Sequence, residues 1–406
     1  MFAPYRRVLS KPGALHFSSA GVLARLPMSM VTISIVLMLS SIYDAYGLAG
    51  RVAAAYVIAQ AIGAPQIAKL VDRFGQARVM RPSLSIATVG LICLVIAATV
   101  RAHEGWLYAS AVLTGLTVGS MGAMVRARWN RVVDNPRELH TAYSLESALD
   151  ELVFVVGPVL ATFLATSISP TAGIVVAIAA AVGGGFWFLA QRATEPASSG
   201  RLPQGERRSV MRSGGMIVIA LVFMGMGTIF GATDVSTVAF AEEEHSKAWA
   251  GGILAVFALG SLISGLLYGA RHWVTPLWKR FTIGVAALAL GASLFFLADS
   301  LIALMLVMFV TGFAIAPTII SGNALVQELV PENRLTEGLT WVGTAIGVGF
   351  AIGTSLAGEF IDRYDAHAGF GVVVGAAVLA TLIALAAIGT LRSGYRSRVY
   401  ATLPAA

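Results

Sequence analysis

Cysteine occurs once in the chain, at Cys93, inside an apolar run. A lone cysteine excludes an internal disulfide and a cysteine metal site. Charge is scarce as well. Only 12% of residues are Asp, Glu, Lys or Arg, about half of what a soluble domain carries. The six histidines, at 16, 103, 140, 245, 272 and 367, stand at or near the ends of apolar segments and form no ligand cluster. No His-Glu-x-x-His, no Gly-x-Ser-x-Gly and no intramembrane Asp pair on two helices is present. Nothing therefore points to a metal ion, a cofactor or an enzyme.

What fills the chain instead is apolar. Of its 406 residues 57% are hydrophobic, and the mean hydropathy is +0.79. The apolar residues form runs of about 20, the length that crosses about 30 Å of hydrocarbon as a helix. Twelve spans are expected, near 15–41, 50–70, 82–100, 106–126, 141–166, 170–191, 214–240, 249–270, 281–298, 300–322, 336–358 and 369–391. The first is too long for a secretory leader and lacks a small-residue cleavage site, so it reads as a retained helix. Short loops join the spans except at 192–213, a polar stretch rich in Pro, Gly and Ser. That stretch reads as a linker between an N-terminal six-helix bundle, 1–191, and a C-terminal one, 214–406.

The net charge of +7 suggests nucleic acid until the basic residues are mapped. With the N-terminus inside, inside segments hold 23 Lys and Arg, and outside segments hold Arg51, Arg101, Lys247 and Arg363. The remaining one is Arg25, within the first span. This bias sets orientation in a plasma membrane with both termini cytoplasmic. It explains the basic charge without a nucleic acid partner.

The two halves repeat. A shift of 196 puts Leu139 on Leu335, Phe154 on Phe350, Gly157 on Gly353, Leu160 on Leu356 and Ala161 on Ala357. A shift of 197 puts Gly63 on Gly260 and Leu70 on Leu267. A parallel duplication of six helices makes two similar bundles with a path between them. After the second span the chain reads AKLVDRFGQAR, with Asp72, Arg73, Gly75 and Arg78. With twelve spans in two repeated halves and this loop, the chain resembles the major facilitator superfamily over nearly its whole length. Ala68 stands where that family's loop has its first Gly, and Gln76-Ala77 replace a basic pair. The second copy, GLLYGAR, keeps Gly265 and Arg271 but has Gly269 in place of the Asp. The resemblance implies an all-α membrane fold of two pseudo-symmetric bundles and transport by alternating access. It also implies that Asp72, Arg73, Gly75 and Arg78 form a cytoplasmic latch. Physically, Gly75 permits a tight turn, and a carboxylate such as Asp72 can cap a neighbouring helix or pair with an Arg. Gly157-Pro158 resembles the Gly-rich fifth-helix signature of efflux members, but Val153 and Ala161-Thr162 replace its other glycines, and Ala111 stands where they carry an Arg tied to proton coupling.

The run LESALDELVFVVGP places Glu146, Asp150 and Glu151 in the fifth span. Arg25 lies roughly 15 Å into the first span, Asp150 and Glu151 about 14–15 Å into the fifth, and Glu146 only about 7 Å. One ionised group at that depth costs about 2.5–3.5 kcal/mol, so it faces a partner or water. One Arg balances one carboxylate and leaves the other short of a cation. An acid that is neutral part of the time is what a proton carrier needs. Glu146 is shallow enough to reach Arg126 or Arg128. The same residues also suit a static polar cluster or a gate, and which acid takes Arg25 is left open. Asp234, about 30 Å along the seventh span, is expected at the outer mouth. Pro27, Pro65 and Pro317 are expected to bend helices. Gly227-x-x-x-Gly231, Gly343-x-x-x-Gly347 and Gly349-x-x-x-Gly353 allow close helix approach.

By the resemblance, the first, fourth, seventh and tenth helices line the cavity. Their side chains include Met30, Ser120, Met121, Met224, Phe230, Met308 and Phe313. Met and Phe make adaptable apolar surfaces. The expectation is a monomeric, proton-coupled exporter of hydrophobic or amphiphilic small molecules. The alternatives are a facilitator or importer of an uncharged nutrient, or a membrane sensor on a transporter scaffold.

Overall fold

The computed structural model describes residues 3–198, 200, 209–246, 249–271 and 273–392, the Tyr46 side chain aside. The secondary structure of those residues is helical, with no strand among them. A short helix, α1 (Ala3–Leu9), precedes α2 (Ala14–Tyr43), α3 (Tyr46–Phe74) and α4 (Gln76–Thr99). Next come α5 (Glu104–Thr117), α6 (Met121–Val132), α7 (Pro136–Ser167) and α8 (Ala172–Ala190). The second half contains α9 (Gly214–Glu243), α10 (Ala250–Ala270), α11 (Leu277–Ser293), α12 (Leu301–Gly312), α13 (Ile315–Leu329), α14 (Leu335–Arg363) and α15 (Ala366–Ala386). Among the described residues, twelve helical segments are long and apolar enough to cross a membrane. Of the expected linker, 199 and 201–208 lie outside the described residues, and 192–194 and 210–212 form 3-10 turns.

The fourth and tenth spans differ from expectation: each is two helices, not one. Between α5 and α6, residues 118–120 leave the helix, and Gly119 takes φ +66°. A left-handed glycine one residue past the cap is a common helix stop. Between α12 and α13 the interruption is at 313–314. Its cause is Pro317, which removes the N–H that would reach Phe313 and crowds that carbonyl. Pro317 thus opens a helix rather than bending one, whereas Pro27 and Pro65 sit inside α2 and α3.

The chain groups into two compact units, described separately. The first holds 6–139 and 149–207; the second holds 1–5, 140–148 and 208–406. In the first, α2 packs on α3, α6 and α8, and α5 packs on α3 and α4. Its core includes Met30, Ile35, Met38, Leu94 and Leu107, all with no exposure. Glycines bring α3 and α5 backbone to backbone. A methyl on Gly63 would strike the Leu116 carbonyl, and one on Gly115 would strike that of Tyr56.

In the second unit α9 packs on α14 and α15, α10 on α12, and α11 on α13 and α15. A methyl on Gly227 would strike the Ile346 carbonyl, and one on Gly231 that of Phe350. In return Gly349 presses on Met224 and Gly353 on Thr228. Backbone contact of this kind is what small residues permit between membrane helices. Gly343 and Gly347 do not take part: each faces open space, contrary to the sequence expectation. Residues 140–148 of α7 join this unit through their contacts with α10. Thr141 Oγ1 donates to the Gly269 carbonyl at 2.9 Å, and the His140 ring meets the Tyr268 ring edge-on at 4.9 Å. Tyr5 donates to the Leu266 carbonyl at 2.6 Å, and burial pushes its phenol up to about 12.

Candidate functional site

The charged cluster of the first unit is built on one face of α7. Asp150, Val153 and Gly157 follow at helical spacing and turn the same side of α7 toward α2. On α2 the matching positions are Arg25 and Ser29, four residues apart. The Ser29 hydroxyl reaches the Val153 carbonyl at 2.9 Å, and Gly157 leaves room for that hydroxyl. One turn further along this seam, Arg25 NH1 meets Asp150 Oδ1 at 2.6 Å. Arg25 is 1% exposed, and its Nε donates to the Gly21 carbonyl of its own helix at 3.0 Å.

A second guanidinium closes on the same carboxylate. Arg126 of α6 places NH2 2.7 Å from Asp150 Oδ2, and NH1 bonds the Gly122 carbonyl at 3.4 Å. Each carboxylate oxygen thus accepts from a different helix. Charge-assisted bonds of this length are the strong class. The arrangement ties α2, α6 and α7 through one side chain, and Asp150 remains partly accessible with 25% of its side chain exposed.

The sequence count of one base for two acids is therefore not what surrounds Asp150. The acid that takes Arg25 is Asp150, and Arg126 joins it. Glu151 is the next residue on α7, about 100° around the helix, and is half-buried. Glu146 is fully buried in the segment that belongs to the second unit. Within the first unit, Arg126 meets Asp150 and Arg128 makes bonds of its own. Arg128 Nε donates to Gln76 Oε1 at 2.8 Å, and NH1 donates to the Gln191 carbonyl at 2.9 Å. Its guanidinium also lies 3.8 Å from the centre of the Phe188 ring.

At the α3–α4 turn Gly75 takes φ +94°, a conformation that favours glycine. The carboxylate on the N-terminus of α4 is Glu195, whose Oε1 accepts from Ala77 N at 2.9 Å. Asp72 and Arg73 are half-buried beside the turn, Arg73 lying against the Phe74 ring, and Arg78 is exposed. Sequence reasoning missed Glu195 because it lies 118 positions from the helix it caps. It missed Arg126 as a partner of Asp150 because nothing local joins them.

The expected cavity residues separate by exposure. Met30 and Met308 are fully buried and Met121 is 9% exposed, so these three belong to packed interior. Ser120, Met224 and Phe230 are half-buried, and Phe313 is exposed and stacks edge-on with Phe309. Asp234 lies well inside α9, which runs on to Glu243.

A sequence model of the Major Facilitator Superfamily matches residues 17–278 and 273–399. No curated protein matches the chain in sequence. Among solved structures, the chain is similar to the human organic anion transporter MFSD10 (TETRAN), with a TM-score of 0.72 at 16% identity. The match covers 94% of this chain and 99% of that one. It is also similar to a bacterial homologue of the iron transporter ferroportin in an outward-facing state, with a TM-score of 0.73 at 14% identity. There it covers 91% of this chain and 98% of the other.

Proposed function

We propose that this chain, which belongs to the major facilitator superfamily and is a multi-pass membrane transporter, is a proton-coupled exporter of hydrophobic or amphiphilic small molecules. The observation that carries the coupling is Asp150 held by Arg25 and Arg126 at 2.6 and 2.7 Å. Two guanidiniums favour the charged carboxylate, so a proton takes Asp150 only in a conformation where one of them has moved away, and a proton held there keeps the ion pairs from re-forming. A ligand or proton shifts a conformational equilibrium only through such a difference between states. The partial exposure of Asp150 gives a proton a way in. Glu151 is the second acid of this coupling group.

The substrate class rests on Met224, Phe230 and Phe313, adaptable apolar side chains with surface to offer. The two similar structures are of an organic anion transporter and of a homologue of an iron transporter, so shared fold does not choose the cargo. Export rests on the Gly157-Pro158 resemblance. The 23-to-4 distribution of basic residues supports cytoplasmic termini in a plasma membrane.

The test uses proteoliposomes with an imposed pH gradient and a panel of fluorescent amphiphiles. Gradient-driven movement is expected in wild type and lost in Asp150→Asn. Movement that ignores the gradient and persists in both Asp150→Asn and Glu151→Gln would make the protein a facilitator and the acids structural.

A further inference from the structure

Among the carboxylates of the second unit, one in α9 is outside the coupling group and stands apart from the others. Asp234 sits in α9, and Glu242, the next charged residue toward the end of that helix, is about 12 Å further along the axis. The seven residues between are Val, Ser, Thr, Val, Ala, Phe and Ala. Asp234 is thus followed by a mostly apolar stretch of about two turns before the next charge. It makes no hydrogen bond and no ion pair with any described residue. The same turn holds two more polar groups in that condition, the hydroxyls of Thr233 and Ser236, both fully buried.

The charged groups on neighbouring elements are committed elsewhere. Glu243 accepts from Ala366 N at 2.8 Å, and Glu359 pairs with Arg363 at 2.6 Å at the far end of α14. A half-buried carboxylate that no described residue pairs with keeps its charge only through water or a ligand, and such a group marks a place where a ligand can bind. The surroundings say what. Phe230 lies four residues before Asp234 on the same helical face, and both are half-buried rather than sealed. No group of three or more His, Cys, Asp or Glu gathers there or elsewhere among the described residues. A divalent metal, which needs several such ligands, is therefore a poor occupant. A carboxylate and an aromatic ring one turn apart suit a monovalent organic cation, which takes the charge at one and the ring face at the other.

We propose that Asp234 and Phe230 form a binding subsite for lipophilic organic cations on α9. The proposal rests on the transporter reading and narrows its amphiphilic substrates to those carrying a positive charge.

The test is equilibrium binding of radiolabelled tetraphenylphosphonium to the full chain in lipid nanodiscs, with no gradient applied. Tetraphenylborate, of the same shape and opposite charge, serves as control. Wild type is expected to bind the phosphonium, Asp234→Asn to bind it at least about tenfold more weakly, and Asp234→Glu to recover most of the affinity. Phe230→Leu, which keeps the carboxylate, is expected to weaken it several-fold. Tetraphenylborate binding is expected to show no loss in Asp234→Asn. Equal phosphonium affinity in wild type and Asp234→Asn, or no binding to wild type, overturns the subsite. Should Asp234→Asn not fold, unchanged affinity in Phe230→Leu overturns it instead. Because binding is read without transport, a protein that passes here but moves nothing under a pH gradient sinks the coupling reading and leaves the subsite standing.

Discussion

Replacing Asp150 by Asn removes one negative charge and almost no volume, so its cost isolates electrostatics. In wild type two guanidiniums approach the carboxylate at 2.6 and 2.7 Å, one of them on Arg25 at 1% exposure. With charges about 4 Å apart and an effective dielectric of about 20, each attraction is about 4 kcal/mol before desolvation is counted. Removing one partner from a buried pair costs about 3–5 kcal/mol, because the remaining charge is left without compensation. For a unit of roughly 200 residues that corresponds to a fall in apparent Tm on the order of 10 °C. The assay is heating of the detergent-solubilised chain followed by size-exclusion recovery. A second variant gives the sign. With Asp150 already Asn, Arg126→Gln takes away a cation that has become a burden. The double variant is therefore expected to be more stable than Asp150→Asn alone, by about 1–3 kcal/mol of coupling. If Asp150→Asn melts within a degree or two of wild type, or if the two substitutions simply add, Asp150 is not the tie between these helices.

Three further outcomes follow from particular contacts. Gly349→Ala pushes a methyl into the Met224 carbonyl and is expected to cost about 1–3 kcal/mol. Gly347→Ala faces open space and is expected to gain about 0.5–1 kcal/mol from helix propensity; a reversed order of their melting temperatures would refute the α9–α14 packing. Glu195→Ala strips the acceptor from Ala77 N and is expected to cost about 0.5–2 kcal/mol in the same assay, as for other helix caps. At pH 8 Tyr5→Phe is expected to be about 1 kcal/mol less stable than wild type, having lost the bond to the Leu266 carbonyl. The Tyr5 phenol is raised from 10.0 to about 12, so the unfolded chain releases its proton first. Wild-type stability therefore holds below about pH 10 and falls as pH rises toward 12, by up to about 2.7 kcal/mol. The two melting curves are expected to cross in that interval, and a constant difference would count against the buried phenol.

The spans were legible because hydrophobic length is a local property, and their number follows from it directly. The breaks at Gly119 and at 313–314 were not, because glycine and proline are tolerated inside membrane helices such as α2 and α3. Whether a given Pro bends a helix or starts one depends on what its neighbours do with the freed carbonyl. The acids of α7 drew attention on charge and depth alone. What the sequence withheld was the count of bases around them, since Arg126 reaches Asp150 across 24 positions and Glu195 reaches Ala77 across 118. Met30 and Met308 illustrate the same limit: residue type suggested a lining, and only packing showed them closed off.

The internal repeat survives in contacts more faithfully than in residues, and it sharpens the contrast between the two units. Gly63 and Gly115 press α3 against α5; 197 positions later Gly260 and Gly312 press α10 against α12, on the carbonyls of Phe309 and Phe257. Thr114 donates to the Ser110 carbonyl and crowds Gly90, while Thr311, again 197 later, donates to the Val307 carbonyl and crowds Gly291. Backbone-to-backbone packing tolerates no side chain, so these glycines cannot drift. Charge is under no such constraint. The same shift carries Arg126 onto Asn323, and a shift of 196 carries Asp150 onto Ile346. The first unit therefore holds Asp150 between two bases, while in the second no described base pairs with Asp234. Since an ionised group in hydrocarbon persists only with a partner, water or a ligand, the two acids have different physical requirements. Asp150 is met by two bases of its own unit. No described residue pairs with Asp234, so water or a ligand must meet its charge.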